Sequence, residues 1–158
     1  MKEKIIEMLH IQEALDNSFM KYMGNDKLDV KKVRMALFDE LGEVCHELKA
    51  EWCYWKKSQK SVDREKLKEE LSDVLHFVLT FHRITEGFSL NDGYLEDSRR
   101  FYLRFAWYDI LRIMSLPDSD TIYEYIILTE KLGFTFDEMY DAYIKKNREN
   151  YERMKRGY

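Results

Sequence analysis

A single proline and six glycines in 158 residues leave the chain few places to turn sharply, a shortage that favours long helices over short strands joined by tight turns. Cysteine is equally scarce. Cys45 and Cys53 are too few for a disulfide scaffold and match neither a C-x-x-C pair nor a zinc-knuckle spacing, which points to a reducing cytoplasm. No run approaches the ~18 apolar residues of a membrane span, and no charged-then-apolar leader opens the chain. Nor is there an excess of positive charge: the net charge of −4 gives no general attraction to a phosphate backbone, so neither nucleic acid nor a membrane is an expected partner. The loops G-x-x-x-x-G-K-[S/T] and G-x-G-x-x-G are also missing, which excludes P-loop and Rossmann nucleotide sites.

What is present is a globular balance of 45% apolar and 35% charged residues, enough for one core and one domain spanning residues 1–158. There is no alternating strand pattern, internal repeat or low-complexity tract. Helical periodicity predicts an all-α helical bundle with helices over 3–23, 30–57, 62–86, 93–114, 120–132 and 136–156. Asp29 and Ser61 stand where N-caps belong, Thr121/Glu124 and Thr135/Glu138 have capping-box spacing, and Gly87 and Gly133 stand where helices end. Between Tyr94 and Tyr108 six aromatics mix with Arg99, Arg100 and Arg104. Such a segment reads as core or subunit-interface packing rather than a nucleic-acid stacking surface.

The stretch Phe38-Asp-Glu-Leu-Gly-Glu-Val-Cys-His-Glu-Leu48 threads Glu40, Glu43 and Glu47 among leucines. With Glu40 at zero on a wheel of ~100° per residue, Glu43 falls near ~300° and Glu47 near ~340°. Leu37, Val44, Leu48 and Leu41 fall between ~40° and ~100°, so the carboxylates border the apolar stripe. The same construction from Glu70 puts Asp73 near ~300° and Phe81, Val74, Leu67, Val78 and Leu71 between ~20° and ~100°. Two helices with one layout can pack stripe to stripe and bring Glu40, Glu43, Glu70 and Asp73 together. Four carboxylates in a partly dry cleft repel one another unless cations neutralise them, and hard oxygen ligands suit Mg²⁺ or Mn²⁺. A di-iron bundle is the rival metal reading, because Glu43-Val-Cys-His46 and Asp73-Val-Leu-His76 have E-x-x-H-like spacing. Both histidines fall near ~240°, away from the stripe, which ranks that reading below Mg²⁺.

The C-terminal helix adds a second polar feature. From Tyr143 at zero, Lys146, Asn147, Asn150 and Arg153 fall between ~280° and ~40°, one strip carrying an ammonium, two amides and a guanidinium. Such a strip suits anionic oxygens. Together with a carboxylate–metal cluster it implies a polyphosphate substrate bridged by metal.

These residues resemble a known family. Glu40-Leu-Gly-Glu43 followed by Glu70-Leu-Ser-Asp73 is similar to the ExxE…ExxD signature of all-α nucleoside triphosphate pyrophosphatases, which include dimeric dUTPases and MazG-like enzymes. Leu9-His-Ile-Gln-Glu-Ala-Leu-Asp16, Trp52-Cys-Tyr-Trp-Lys56, Asp73-Val-Leu-His-Phe77 and the ending with Lys146, Asn147, Asn150, Arg153, Gly157 and Tyr158 resemble the dimeric dUTPase branch. The resemblance implies a homodimer that hydrolyses dUTP, and also dUDP, to dUMP by water attack at the α-phosphorus, dUTP releasing pyrophosphate. It implies Mg²⁺ on Glu40, Glu43, Glu70 and Asp73, and of these Glu40 first and Glu43 second are the expected catalytic carboxylates. It further implies substrate contacts from Gln12, Trp55, Lys56, Phe77, Lys146, Asn147, Asn150, Arg153 and Tyr158. Cys53 departs from the family pattern, which has a lysine there, and a MazG-like enzyme with another base preference is the alternative.

Overall fold

The computed structural model describes residues 1–25, 27–91 and 93–157. Its elements are α1 (Lys2–Met23), α2 (Val30–Glu47), α3 (Lys49–Trp52), α4 (Arg64–Glu86), α5 (Tyr94–Phe101), a 3₁₀ turn (Tyr102–Arg104), α6 (Trp107–Met114), α7 (Thr121–Lys131) and α8 (Phe136–Arg156). No strand occurs among the described residues.

α4 is the axis of the bundle. It packs along α2 most extensively and also against α8, α1 and α7. The α2–α4 seam is the one expected: Leu37, Leu41 and Val44 meet Leu71, Val74 and Val78, all within the core. Burial of each such side chain contributes roughly 1.5–3 kcal/mol, so this seam is a main source of the bundle's cohesion.

Local chemistry sets the ends. Asp29 caps α2 by accepting from the Lys31 N–H at 2.9 Å. At the start of α8 the Thr135 hydroxyl accepts from the Glu138 N–H at 3.2 Å while the Glu138 carboxylate accepts from the Thr135 N–H at 2.7 Å, a reciprocal cap that satisfies two backbone donors. Gly87 and Gly133 end their helices with φ of 68° and 80°, where a Cβ would be strained. Arg64, at the start of α4, donates to the Gly133 carbonyl at 2.7 Å and to Glu138 at 3.2 Å, and its guanidinium lies over the Phe134 ring. That clamp fixes where α8 begins relative to α4.

Four local expectations differ from the structure. The helix predicted over 30–57 stops at Glu47, because the Trp52 indole N–H donates to the Cys45 carbonyl at 2.8 Å, the acceptor that a continuing helix would offer to residue 49. Only the short α3 follows. The helix start near Ser61 moves to Asp63, whose carboxylate accepts from the Glu65 and Lys66 N–H groups. The helix predicted over 93–114 breaks at Phe105, which is extended, and α6 restarts where Asp109 accepts from the Ala106 N–H at 3.0 Å. Finally, Thr121/Glu124 is not a capping box: Glu124 turns inward and accepts from the Tyr102 hydroxyl at 2.6 Å. In the aromatic segment Tyr94, Tyr102, Phe105 and Trp107 pack on the core, while Phe101 and Tyr108 stay exposed.

Candidate active site

The α2–α4 seam carries its acids to one edge. Glu40, Glu70 and Asp73 each place a carboxylate oxygen within 4.8 Å of the others, and they form such a group among the described residues. Like charges this close, half-shielded from water, hold their protons more tightly. Glu40 is pushed up to about 7, chiefly by burial and then by the charges of Asp73 and Glu70. Glu70 and Asp73 are raised too, burial again leading. Glu43 lies outside the trio and is exposed. Its charge, like that of Glu47, still acts on Glu70.

The C-terminal strip faces this group. Lys146 Nζ lies 2.6 Å from Asp73 Oδ2. Arg153 pairs with Glu149 at 2.7 Å, and its charge also favours ionised Asp73.

A cavity of about 450 Å³ opens beside the trio. Glu40, Asp73, Asn150 and Arg153 line it, together with Gln12, Phe77, Phe19, Tyr22, Leu15 and Val33. One part of its wall is therefore anionic and cationic, and another is aromatic and apolar, a division suited to a ligand with a charged end and a flat one. Lys146 adjoins it through Asp73, and Asn147 is buried against Tyr143. Trp55 and Lys56 sit in the exposed segment after α3, outside the cavity lining. Tyr158 lies outside the described residues.

A buried polar network under the cavity escaped the sequence reading. Gln12 Nε2 donates to Asp16 Oδ1 at 2.8 Å and to Thr80 Oγ1 at 3.0 Å. Gln12 Oε1 accepts from His76 Nδ1 at 2.8 Å and from the Tyr143 hydroxyl at 3.1 Å. Arg83 pairs with Asp16 Oδ2 at 2.8 Å. The expectation that His76 points away from the core is corrected here: it is buried, with its ring 4.5 Å from that of Tyr143. The wheel assumed one apolar stripe, whereas α4 is covered on several sides. Burial lowers the imidazole to about 3, so His76 is neutral. His46 is exposed, and among the described residues no histidine joins the acidic trio. The signal available in sequence was spacing: Gln12/Asp16 and His76/Thr80 are i,i+4 polar pairs set within otherwise apolar faces.

A family model described as dUTPase matches residues 4–158. No curated protein matches the chain. Enzymes of that family generally need a divalent metal, and three converging carboxylates of hard oxygen are a donor set that fits one. With its helical bundle and its match over nearly the whole chain, this protein belongs to the all-α dUTPase family and is a dUTP diphosphatase.

Proposed function

We propose that the acidic trio, with Glu43 beside it, is the metal-dependent centre for hydrolysis of dUTP to dUMP and pyrophosphate, and that Mg²⁺, or Mn²⁺ in its place, is the ion used. The observation that carries this reading is the approach of Glu40, Glu70 and Asp73 to within 4.8 Å, with Glu40 and Asp73 on the wall of the cavity. A divalent cation held there would offset the carboxylate repulsion and acidify a coordinated water. Glu40 is the group we assign to orient that water or take its proton, since it joins the trio and lines the cavity, whereas Asp73, which does the same, is held by Lys146 at 2.6 Å. Glu43 is the second choice. Lys146 and Arg153 stabilise the phosphate charge that grows on the departing pyrophosphate, and Asn147 and Asn150 hold sugar and phosphate oxygens. Phe77 and Gln12 face the nucleoside, with Trp55, Lys56 and Tyr158 as outer contacts. Attack at the α-phosphorus also admits dUDP.

Pyrophosphate release from dUTP tests the centre. Turnover should require Mg²⁺ or Mn²⁺ and vanish with a chelator. Full turnover by folded Glu40→Gln and Glu70→Gln proteins would overturn the carboxylate assignment.

We further propose a cytoplasmic homodimer. Both thiols are free. An open groove of about 590 Å³, lined by Lys31, Arg34, Met35, Phe38, Leu116 and Pro117, exposes large apolar side chains that a second copy can cover. Sedimentation should give a dimer mass, and Phe38→Glu should lower it to that of a monomer.

A further inference from the structure

Gln12 can hold its amide in only one sense. Both of its N–H groups are engaged, one on the Asp16 carboxylate at 2.8 Å and one on the Thr80 hydroxyl at 3.0 Å. Thr80 uses its own proton on the same Asp16 oxygen at 3.0 Å, so it is an acceptor toward Gln12. The second Asp16 oxygen receives the Arg83 guanidinium at 2.8 Å. Turning the amide over would place Oε1 against a carboxylate oxygen with no proton between them, in a buried site where such a contact is costly. Asp16 therefore dictates that Gln12 presents an acceptor, Oε1, on its other side.

That acceptor can take a ligand donor in place of one of its two partners. Of its two partners, His76 Nδ1 is firmly placed at 2.8 Å. The Tyr143 hydroxyl has a single proton divided between Gln12 Oε1 at 3.1 Å and the Met8 carbonyl at 3.2 Å. Tyr143 can give that proton wholly to Met8 and release one lone pair of Gln12. A group bound in the cavity, which Gln12 lines, can then donate to it.

We infer that Asp16, backed by Arg83 and Thr80, is a positioning residue for base selection: it fixes Gln12 as an acceptor, so the site reads an imide N–H. This rests on the proposed contact between Gln12 and the nucleoside. Uracil carries a proton on N3 and cytosine carries a lone pair there, so a fixed acceptor favours uracil and repels cytosine. Thymine has the same imide edge as uracil, and Asp16 takes no part in rejecting it. A carboxylate is needed for this role because an asparagine at position 16 can turn its own NH₂ toward Gln12 and let the amide invert.

The test is kcat/KM for dUTP, dCTP and dTTP with Asp16→Asn. The dUTP:dCTP ratio should fall by about tenfold, the scale of one misdirected hydrogen bond, while dUTP:dTTP stays within about twofold. A merely structural Asp16 would loosen both ratios together or neither, and either result overturns the inference. Should Asp16→Asn fail to fold because Arg83 loses its closer carboxylate, Thr80→Val removes one of the two anchors and should lower dUTP:dCTP by about threefold with dUTP:dTTP unchanged. Gln12→Ala separates the two layers. If it leaves both ratios intact, the nucleoside contact itself is wrong and the inference falls with it. If it lowers dUTP:dCTP while Asp16→Asn does not, only the role of Asp16 is overturned.

Discussion

Glu40 and Glu124 are both carboxyls pushed up to about 7, and burial is the leading cause in each. Their surroundings differ. Glu40 borders a cavity and is crowded by Glu70 and Asp73. Glu124 is sealed in the core, and the Tyr102 hydroxyl donates to it, which partly counters the rise. The first arrangement stores repulsion that an added cation can relieve. The second is already satisfied by a neutral donor and has nothing to offer a ligand. A raised carboxyl marks a candidate site only where other donors converge on the same open space.

Substitution at the two positions should separate them most sharply. Glu40→Gln and Asp73→Asn should lower turnover of dUTP by on the order of 100-fold or more, comparable to removing one transition-state stabilising group. Glu124→Gln should leave kcat within about threefold, measured by pyrophosphate release. A large loss in Glu124→Gln at unchanged fold would erase the distinction.

Cation binding gives the next largest contrast. At about one hundred times its dissociation constant, a divalent ion should stabilise the protein by about 2.7 kcal/mol. The corresponding rise in Tm should persist in Glu124→Gln and disappear when Glu40 and Glu70 are both replaced by Gln. Persistence in the double variant would place the ion elsewhere.

The Tyr102–Glu124 pair can be cut from its other side. Tyr102→Phe leaves the carboxyl buried without its donor and should cost about 2 kcal/mol of stability in denaturant titrations. Turnover of the remaining folded protein should not change.

The two carboxyls also differ in how they shape the pH dependence of stability. A carboxyl held at about 7 in the folded chain keeps a proton that the unfolded chain, titrating near 4.5, has already lost. The folded state binds more protons in that window, so stability of the metal-free protein should fall as pH rises from about 4.5 to about 7 and level off above it. A divalent cation should remove the share due to the acidic trio and leave that due to Glu124. Glu124→Gln should lower the slope further, and a slope unaffected by both changes would contradict the assignment.

The convergence of Glu40, Glu70 and Asp73 was legible in sequence because its logic is one of periodicity: Glu40 and Glu70 hold equivalent places beside two apolar stripes that pack together, and Asp73 lies one turn from Glu70, although Glu43, its counterpart, stays outside the group. The reciprocal cap at Thr135 and the glycine ends were legible for the same reason, being set by neighbours in the chain. Glu124 and His76 were not. Thr121/Glu124 has the spacing of a cap, but burying the Tyr102 hydroxyl demanded an acceptor from across the bundle. His76 was misplaced because a wheel with one stripe describes a helix at the edge of a bundle, not one enclosed by four neighbours. The breaks after Glu47 and at Phe105 likewise depend on side-chain bonds to the backbone that local propensity does not encode.

The Arg64 clamp gives the polar strip of α8 a fulcrum. Ten residues of α8 separate Phe136, next to the clamp, from Lys146, a lever of about 15 Å at the rise of an α-helix. A tilt of about 5° at the clamped end would carry the Lys146 ammonium by about 1 Å, a displacement large enough to lower turnover by roughly 100-fold where groups must meet in register. An arginine at the start of α4, outside the acidic trio, thereby sets the aim of the cation that meets Asp73.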